Sequence, residues 1–334
     1  MVKHITALLL FTLFLLPNYS DAQEIDPIGI ISVAWSPDGN MIAAVGEDGF
    51  VGIFDSQTHV LIRTLLGSNG DVYAVDWNST STQIIATSAD TNLRIWDVTS
   101  GNLIAKLLEP EYILTAVSWS PNNQFMASLD SAPDGFGLVQ IWDAQTFQRL
   151  YQHPVGLSGT IDWRNNQELA VSNALVGVAL FDPSLAIPYN QVFDLYSIGT
   201  GNPAITIAWS PDNSMLAIAE VPNMSYAANP DLDFDIAVWD VNTSTEILRI
   251  PAAHEVQIMS LAWSSTNQLA SASYGGEIKI WDAATGQNLD TIMTNNVNDF
   301  DYFTVDWSPD GIQLAYGEDN NTIVTVTPGN YSQR

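Results

Sequence analysis

From about residue 30 onward the chain is built of short apolar runs separated by tight polar turns. The first unit, Ile31 to Asp55, divides at Ser36-Pro37-Asp38-Gly39 and again at Glu47-Asp48-Gly49, both stretches of turn-forming residues. The runs between them are too brief for helices and too apolar on both sides for a sheet with one wet face, so they predict strands covered on both faces. An apolar-x-Trp step then recurs at Trp35, Trp77, Trp119, Trp163, Trp209, Trp263 and Trp307, at spacings of 42, 42, 44, 46, 54 and 44 residues. A period of this size marks a repeat architecture in which each unit buries its faces against its neighbours. Later units keep the layout: Trp77 to Asp97, Trp119 to Asp143, Trp163 to Asp182, Trp209 to Asp240, Trp263 to Asp282 and Trp307 to Thr327. Between units lies a further apolar segment such as Leu103 to Leu108, introduced by Thr99-Ser100-Gly101, which makes four strands per repeat.

Several third runs end in a fixed dipeptide: Ile95-Trp96-Asp97, Ile141-Trp142-Asp143, Val238-Trp239-Asp240 and Ile280-Trp281-Asp282, with Ile53-Phe54-Asp55 and Leu180-Phe181-Asp182 as Phe variants. On these residues the chain resembles the WD-repeat family of β-propellers, as a secreted, bacterial-type member. Trp-Ser-Pro-Asp-Gly also occurs in periplasmic propellers of the Tol and tricorn type, but the Trp-Asp endings favour the WD reading. The resemblance implies an all-β, seven-bladed β-propeller with four antiparallel strands per blade. It also implies a ring closed by overlap of the N- and C-terminal segments, with residues 23 to 28 supplying the outer strand beside residues 322 to 327.

Family members often carry a His, Ser or Thr, Trp and Asp network inside a blade, and here no repeat has all four. Six residues before the third-run Trp or Phe, the turn carboxylate is present as Asp48, Asp90 and Asp233. Asn320 substitutes in the last repeat, and Phe136, Leu175 and Gly275 stand at the position elsewhere. His254 occupies the family His position in a repeat that lacks the Asp. The blades are therefore expected to lean on apolar packing, with loss of any one polar member such as Asp90 costing about 1 to 2 kcal/mol.

Lys3 and His4 precede the apolar run Ile5 to Leu16, followed by Pro17 and by Ser20-Asp21-Ala22. The run is shorter than the about 20 residues a membrane span needs, and the small residues suit cleavage before Gln23. Residues 1–22 are thus expected to be a signal peptide and residues 23–334 one propeller, exported as a secreted, extracellular or periplasmic protein without membrane insertion. With no cysteine there is no disulfide framework. The 37 acidic against 9 basic residues, a net charge of -28, exclude nucleic acid and anionic lipid as partners and suit a basic one.

The repeat lengthens at 130–137 and 220–235, between second and third strands, and at 188–203 and 294–302, before first strands. Both kinds of loop are expected at one end of the propeller, where their aromatic residues Phe136, Tyr189, Tyr226, Phe234, Phe300 and Tyr302 become candidate anchors for a protein or peptide partner. Asp231-x-Asp233-x-Asp235 resembles the start of a calcium loop but lacks its glycine and distal glutamate, so calcium is a minor candidate and no cofactor is expected. No nucleophile elbow, zinc helix or phosphate loop is present. The expected function is a non-enzymatic, monomeric interaction or scaffolding module. The alternative is an extracellular propeller hydrolase or lactonase using carboxylates or calcium at the central channel. Sequons at Asn78, Asn223 and Asn242 would carry glycans only in a host that glycosylates secreted proteins.

Overall fold

A computed structural model describes residues 29–108, 112–131, 137–155, 158–166, 168–173, 177–182, 193–194, 204–220, 234–294, 304–318 and 322–329. The first blade contains β1 (Ile30–Trp35), β2 (Met41–Gly46), β3 (Val51–Asp55) and β4 (Leu61–Thr64). The second contains β5 (Val72–Trp77), β6 (Gln83–Ser88), β7 (Asn92–Asp97) and β8 (Leu103–Leu108), the third β9 (Ile113–Trp119), β10 (Phe125–Ser131), β11 (Gly137–Asp143) and β12 (Arg149–Val155). In the fourth are β13 (Ser158–Trp163), β14 (Leu169–Asn173), β15 (Gly177–Phe181) and β16 (Phe193–Asp194), and in the fifth β17 (Ala204–Trp209), β18 (Met215–Glu220), β19 (Phe234–Asp240) and β20 (Thr245–His254). The sixth has β21 (Ile258–Trp263), β22 (Gln268–Ser273), β23 (Glu277–Asp282) and β24 (Asn288–Met293). The seventh shows β25 (Val305–Trp307), β26 (Leu314–Gly317) and β27 (Ile323–Val326) among the described residues. Every sheet is antiparallel and meanders outward from its first strand, giving the seven-bladed propeller.

Two turns explain the recurring dipeptides. After each Trp-Ser-Pro, the serine hydroxyl closes the turn: Ser36 Oγ donates to Asp38 Oδ1 at 2.6 Å and accepts the Met41 N–H at 2.9 Å. Ser120, Ser210 and Ser308 repeat the pattern with Asn122, Asp212 and Asp310. Gly39 sits in this turn at φ 75, a conformation that costs glycine little. The aspartate of each Trp-Asp caps the following turn, as where Asp97 accepts the Ser100 N–H at 2.7 Å and Asp143 the Thr146 N–H at 2.7 Å. These hydrogen bonds hold both carboxyls below the usual carboxylate range.

The core is a ring of layers between blades. Among the described residues, apolar side chains gather in seven clusters, each drawn chiefly from two successive blades, and the last joins Trp35 and Ile42 of the first blade to Ala315 and Ile323 of the seventh. This is why the strands are apolar on both faces: each sheet is sandwiched, and water reaches only its edges. The ring closes where β1 packs on β25 and β26, with Val33 N–H donating to Thr304 Oγ1 at 2.9 Å. The expected overlap of residues 23 to 28 with β27 lies outside the described residues.

The polar network of the sixth blade is more complete than the sequence implies. His254 Nδ1 lies 2.8 Å from Glu277 Oε2 and its Nε2 2.7 Å from Ser271 Oγ, which also accepts the Trp281 indole N–H at 2.8 Å. Glu277, two positions past Gly275, reaches back with its longer side chain to do what a turn aspartate does. The repeat lacks the turn aspartate, with Gly275 at its position, and Glu277 makes the contact to His254 in its place. Asp90 also does more than expected, since its carboxylate forms a bidentate pair with the guanidinium of buried Arg94.

Candidate functional site

The first strand of each blade lines a central channel, and its inner edge has no strand partner. Backbone N–H groups on such an edge need other acceptors. The chain supplies them from side chains one and three residues before the Trp, which reach toward the next blade. Thr160 Oγ1 accepts the Ile207 N–H at 3.1 Å and Ser260 Oγ the Val305 N–H at 3.2 Å. Asp76, Asp162 and Asp306 accept the backbone N–H of Trp119, Trp209 and Trp35 at 2.6, 3.0 and 2.7 Å. At the same position the other blades have Ala34, Ser118, Ala208 and Ala262. Several Trp also reach back with the indole, with or without an Asp at the seam: Trp77 Nε1 donates to Ala34 O at 3.0 Å, Trp163 to Ser118 O at 3.3 Å, Trp209 to Asp162 O at 3.2 Å and Trp307 to Ala262 O at 3.2 Å.

The three aspartates face a cavity of about 580 Å³. They are partly exposed to its lumen yet lie deep in the ring. Burial pushes the Asp76 carboxyl up to about 6 and those of Asp162 and Asp306 up to about 7, against the opposing pull of the Trp N–H donors. Asp76 also raises the other two through charge repulsion.

Toward the other end the channel opens into a second cavity lined by Tyr73, Thr115, Ser131, Gln257 and Met259. A bulge in the first strand shapes this mouth. Register slips by one residue at Ile31, Tyr73, Thr115, Ile205 and Met259, each passed over in pairing with the second strand, and each lines the mouth. Gly159 lies in the corresponding slip of β13, where an added Cβ would collide with Ile205 O.

Of the candidate anchors, Phe234 is placed in the core between the fifth and sixth blades at 5% exposure, packed with Ile236, Ile258 and Ala253. It opens β19, and the strand's inward alternation claims it, which corrects its placement on the binding face. Phe136, Tyr189, Tyr226, Phe300 and Tyr302 lie outside the described residues, as do Asp231 and Asp233. Asp235 pairs with Arg249 at 3.1 Å and accepts the Ala252 N–H at 3.0 Å, so its oxygens serve the β19–β20 hairpin. Among the described residues no three His, Asp or Glu side chains are grouped to hold a metal ion. Asp48 occupies a left-handed turn at φ 54, its N–H donating to Asp71 at 3.2 Å. Asn78 is buried, its amide donating to Thr80 and Thr82, so that sequon is closed to a glycan.

The hydrolase alternative calls for carboxylates converging on the channel, and three do. Their oxygens, however, hold backbone amides of neighbouring blades, and among the described residues no Lys, Arg, His or Glu lines either cavity beside them. The sequence signal was present in Val75-Asp76-Trp77, Ile161-Asp162-Trp163 and Val305-Asp306-Trp307: a charged residue inside an otherwise apolar strand, repeated at one repeat position.

The family described as WD domain, G-beta repeat matches residues 26–55, 59–97 and 245–282. Protein tipD of Dictyostelium discoideum is 24% identical over 261 residues, covering 77% of this chain and 40% of that protein. Protein HIR1 of Cryptococcus neoformans is 25% identical over 239 residues, covering 71% and 23%. The WD repeat-containing protein slp1 of Schizosaccharomyces pombe is 25% identical over 259 residues, covering 75% and 47%. The chain spans less than half the length of each of these relatives. Repeat matches, WD-repeat relatives and the ring of seven sheets together support a WD-repeat propeller.

Proposed function

We propose that this protein is a non-enzymatic interaction scaffold that binds a protein or peptide partner across the end of the propeller where the channel mouth opens. The repeat matches support the interaction scaffold and point away from an enzyme. One observation supports the choice of face. The strand ends next to the lengthened segments lie at the same end of their blades as the mouth: Ser131 pairs with Ile113, Glu220 with Ala204 and Asp235, and Thr304 lines the mouth itself. Loops grouped around one opening of a rigid ring are the usual site of recognition on such scaffolds. The net charge of -28 favours a basic partner, and the pattern of residues 1–22 supports export.

Affinity capture from the extracellular fraction, with the chain beginning at Gln23 as bait, tests this reading. A specific protein partner should be retained and then lost with Tyr226→Ala or Tyr302→Ala at an unchanged unfolding midpoint. Equal losses of binding and stability would place those residues in packing instead. Recovery of a small-molecule turnover and no protein partner would overturn the scaffold.

A further inference from the structure

The sequence contains one Asn-Gly step, Asn69-Gly70, and it falls in the connection from β4 to β5, between the first two blades. Gly70 holds φ 78, so the turn itself demands glycine after this asparagine. That pairing is the one in which a backbone amide most readily attacks the carboxamide before it, because no Cβ shields the nitrogen and the glycine turns freely. Both residues are exposed. Among the described residues neither the Asn69 carboxamide nor the Gly70 N–H has a hydrogen-bond partner. By contrast, the side-chain amides of Asn40, Asn78, Asn92, Asn122 and Asn123 are all engaged. The rest of the turn is held: Asn69 N–H donates to Asp90 Oδ2 at 3.2 Å, and the Ser88 hydroxyl lies 3.3 Å from Asn69 O and 3.4 Å from Gly70 O. A fixed turn thus exposes the two groups that can react with each other.

We propose that Asn69 is a site of spontaneous covalent modification, an intramolecular deamidation that turns its carboxamide into a carboxylate beside the channel mouth. Gly70 N bonds to Asn69 Cγ and gives up its proton to water, while the Cγ–Nδ2 bond breaks and Nδ2 leaves as ammonia. The product is a succinimide, and water then adds to either ring carbonyl. Breaking the new Cγ–N bond yields aspartate. Breaking the original peptide bond instead yields isoaspartate, whose main chain runs through Cγ. One water is consumed and one ammonia released, with no change of oxidation state. Either product adds negative charge to a turn that already gathers Asp71 and Asp90. Isoaspartate also lengthens the main chain between the anchored Asn69 N–H and Gly70 O, pulling against Asp90 and Ser88. Tyr73, at the start of β5, lines the mouth, so the new charge appears at that end of the ring.

The test incubates the purified full chain at mildly alkaline pH, folded and in urea, and maps its peptides by mass spectrometry with electron-transfer fragmentation, which separates aspartate from isoaspartate. In the folded chain Asn69 should convert to both products at a rate close to that in urea. It should also convert about tenfold faster than Asn78, the handicap set by the hydrogen bonds to Thr80 and Thr82 that Asn78 must first break. Asn69→Gln, whose extra methylene disfavours ring closure, should remove the conversion from that peptide. Asn69 staying intact in the folded chain while converting in urea would overturn the proposal, because the turn would then be withholding the step. Folded-state conversion at Asn78 or Asn123 equal to that at Asn69 would do the same. Should the variant fail to fold, the wild-type rates decide alone.

Discussion

Asp306 in the last blade accepts the backbone N–H of Trp35 in the first at 2.7 Å, across 271 residues of sequence. With Thr304 holding Val33 two residues earlier, this contact zips the ends of the ring along the channel. The same pair of contacts recurs where Thr160 and Asp162 hold Ile207 and Trp209. Propeller closure here uses the fastener that joins interior blades. It follows from a strand edge that faces the channel and must find acceptors across a seam.

Phe234→Ala should destabilise the fold by about 3 to 5 kcal/mol, the range for truncating a buried aromatic residue. Urea unfolding measures this directly. Partner retention at concentrations where the variant stays folded should match wild type, because Phe234 is enclosed between two blades.

Asp90→Ala should cost about 3 to 5 kcal/mol rather than the 1 to 2 expected of a single turn hydrogen bond, because it strands the buried guanidinium of Arg94. A double-mutant cycle with Arg94→Met checks the cause. The pair replaced together should recover most of the loss, whereas an additive result would locate the cost in the turn.

His254 is fully buried, and burial, followed by repulsion from Lys279, lowers its pKa to about 4 against the pull of Glu277. The folded state therefore keeps the ring neutral while the unfolded chain protonates it near 6.5. Its contribution is fully present above about pH 6.5 and lost as pH falls toward 4. Histidine ring NMR should show His254 titrating below pH 5. A midpoint above 6 would mean that the ion pair with Glu277 outweighs desolvation.

Gly159→Ala should loosen the seam between the fourth and fifth blades. Its Cβ would occupy space held by Ile205 O and by Ser172 Oγ, which donates to that same carbonyl at 2.8 Å. A loss of about 1 to 3 kcal/mol is expected from such overpacking. Denaturant unfolding with an unchanged slope checks it, and a neutral result would show that β13 can shift without disturbing its neighbour.

Strand count, blade count and turn positions were legible because each depends on local pattern. Ser36-Pro37-Asp38-Gly39 makes its turn through contacts no more than five residues apart, and the Asp of each Trp-Asp caps a turn three residues on. The seven-fold spacing of Trp likewise reports a unit that must stack on its own kind. Sequence alone therefore determined an all-β ring of seven sheets. Tertiary structure decided what each polar residue is for. Glu277 meets His254 only because the outer strand of one blade delivers the histidine to the next, and Phe234 is claimed by a layer between two blades. Asp76, Asp162 and Asp306, far apart along the chain, become one electrostatic unit only when the ring closes and brings their strands around a shared channel. Their chemistry depends on distance and desolvation through space, which no local pattern encodes.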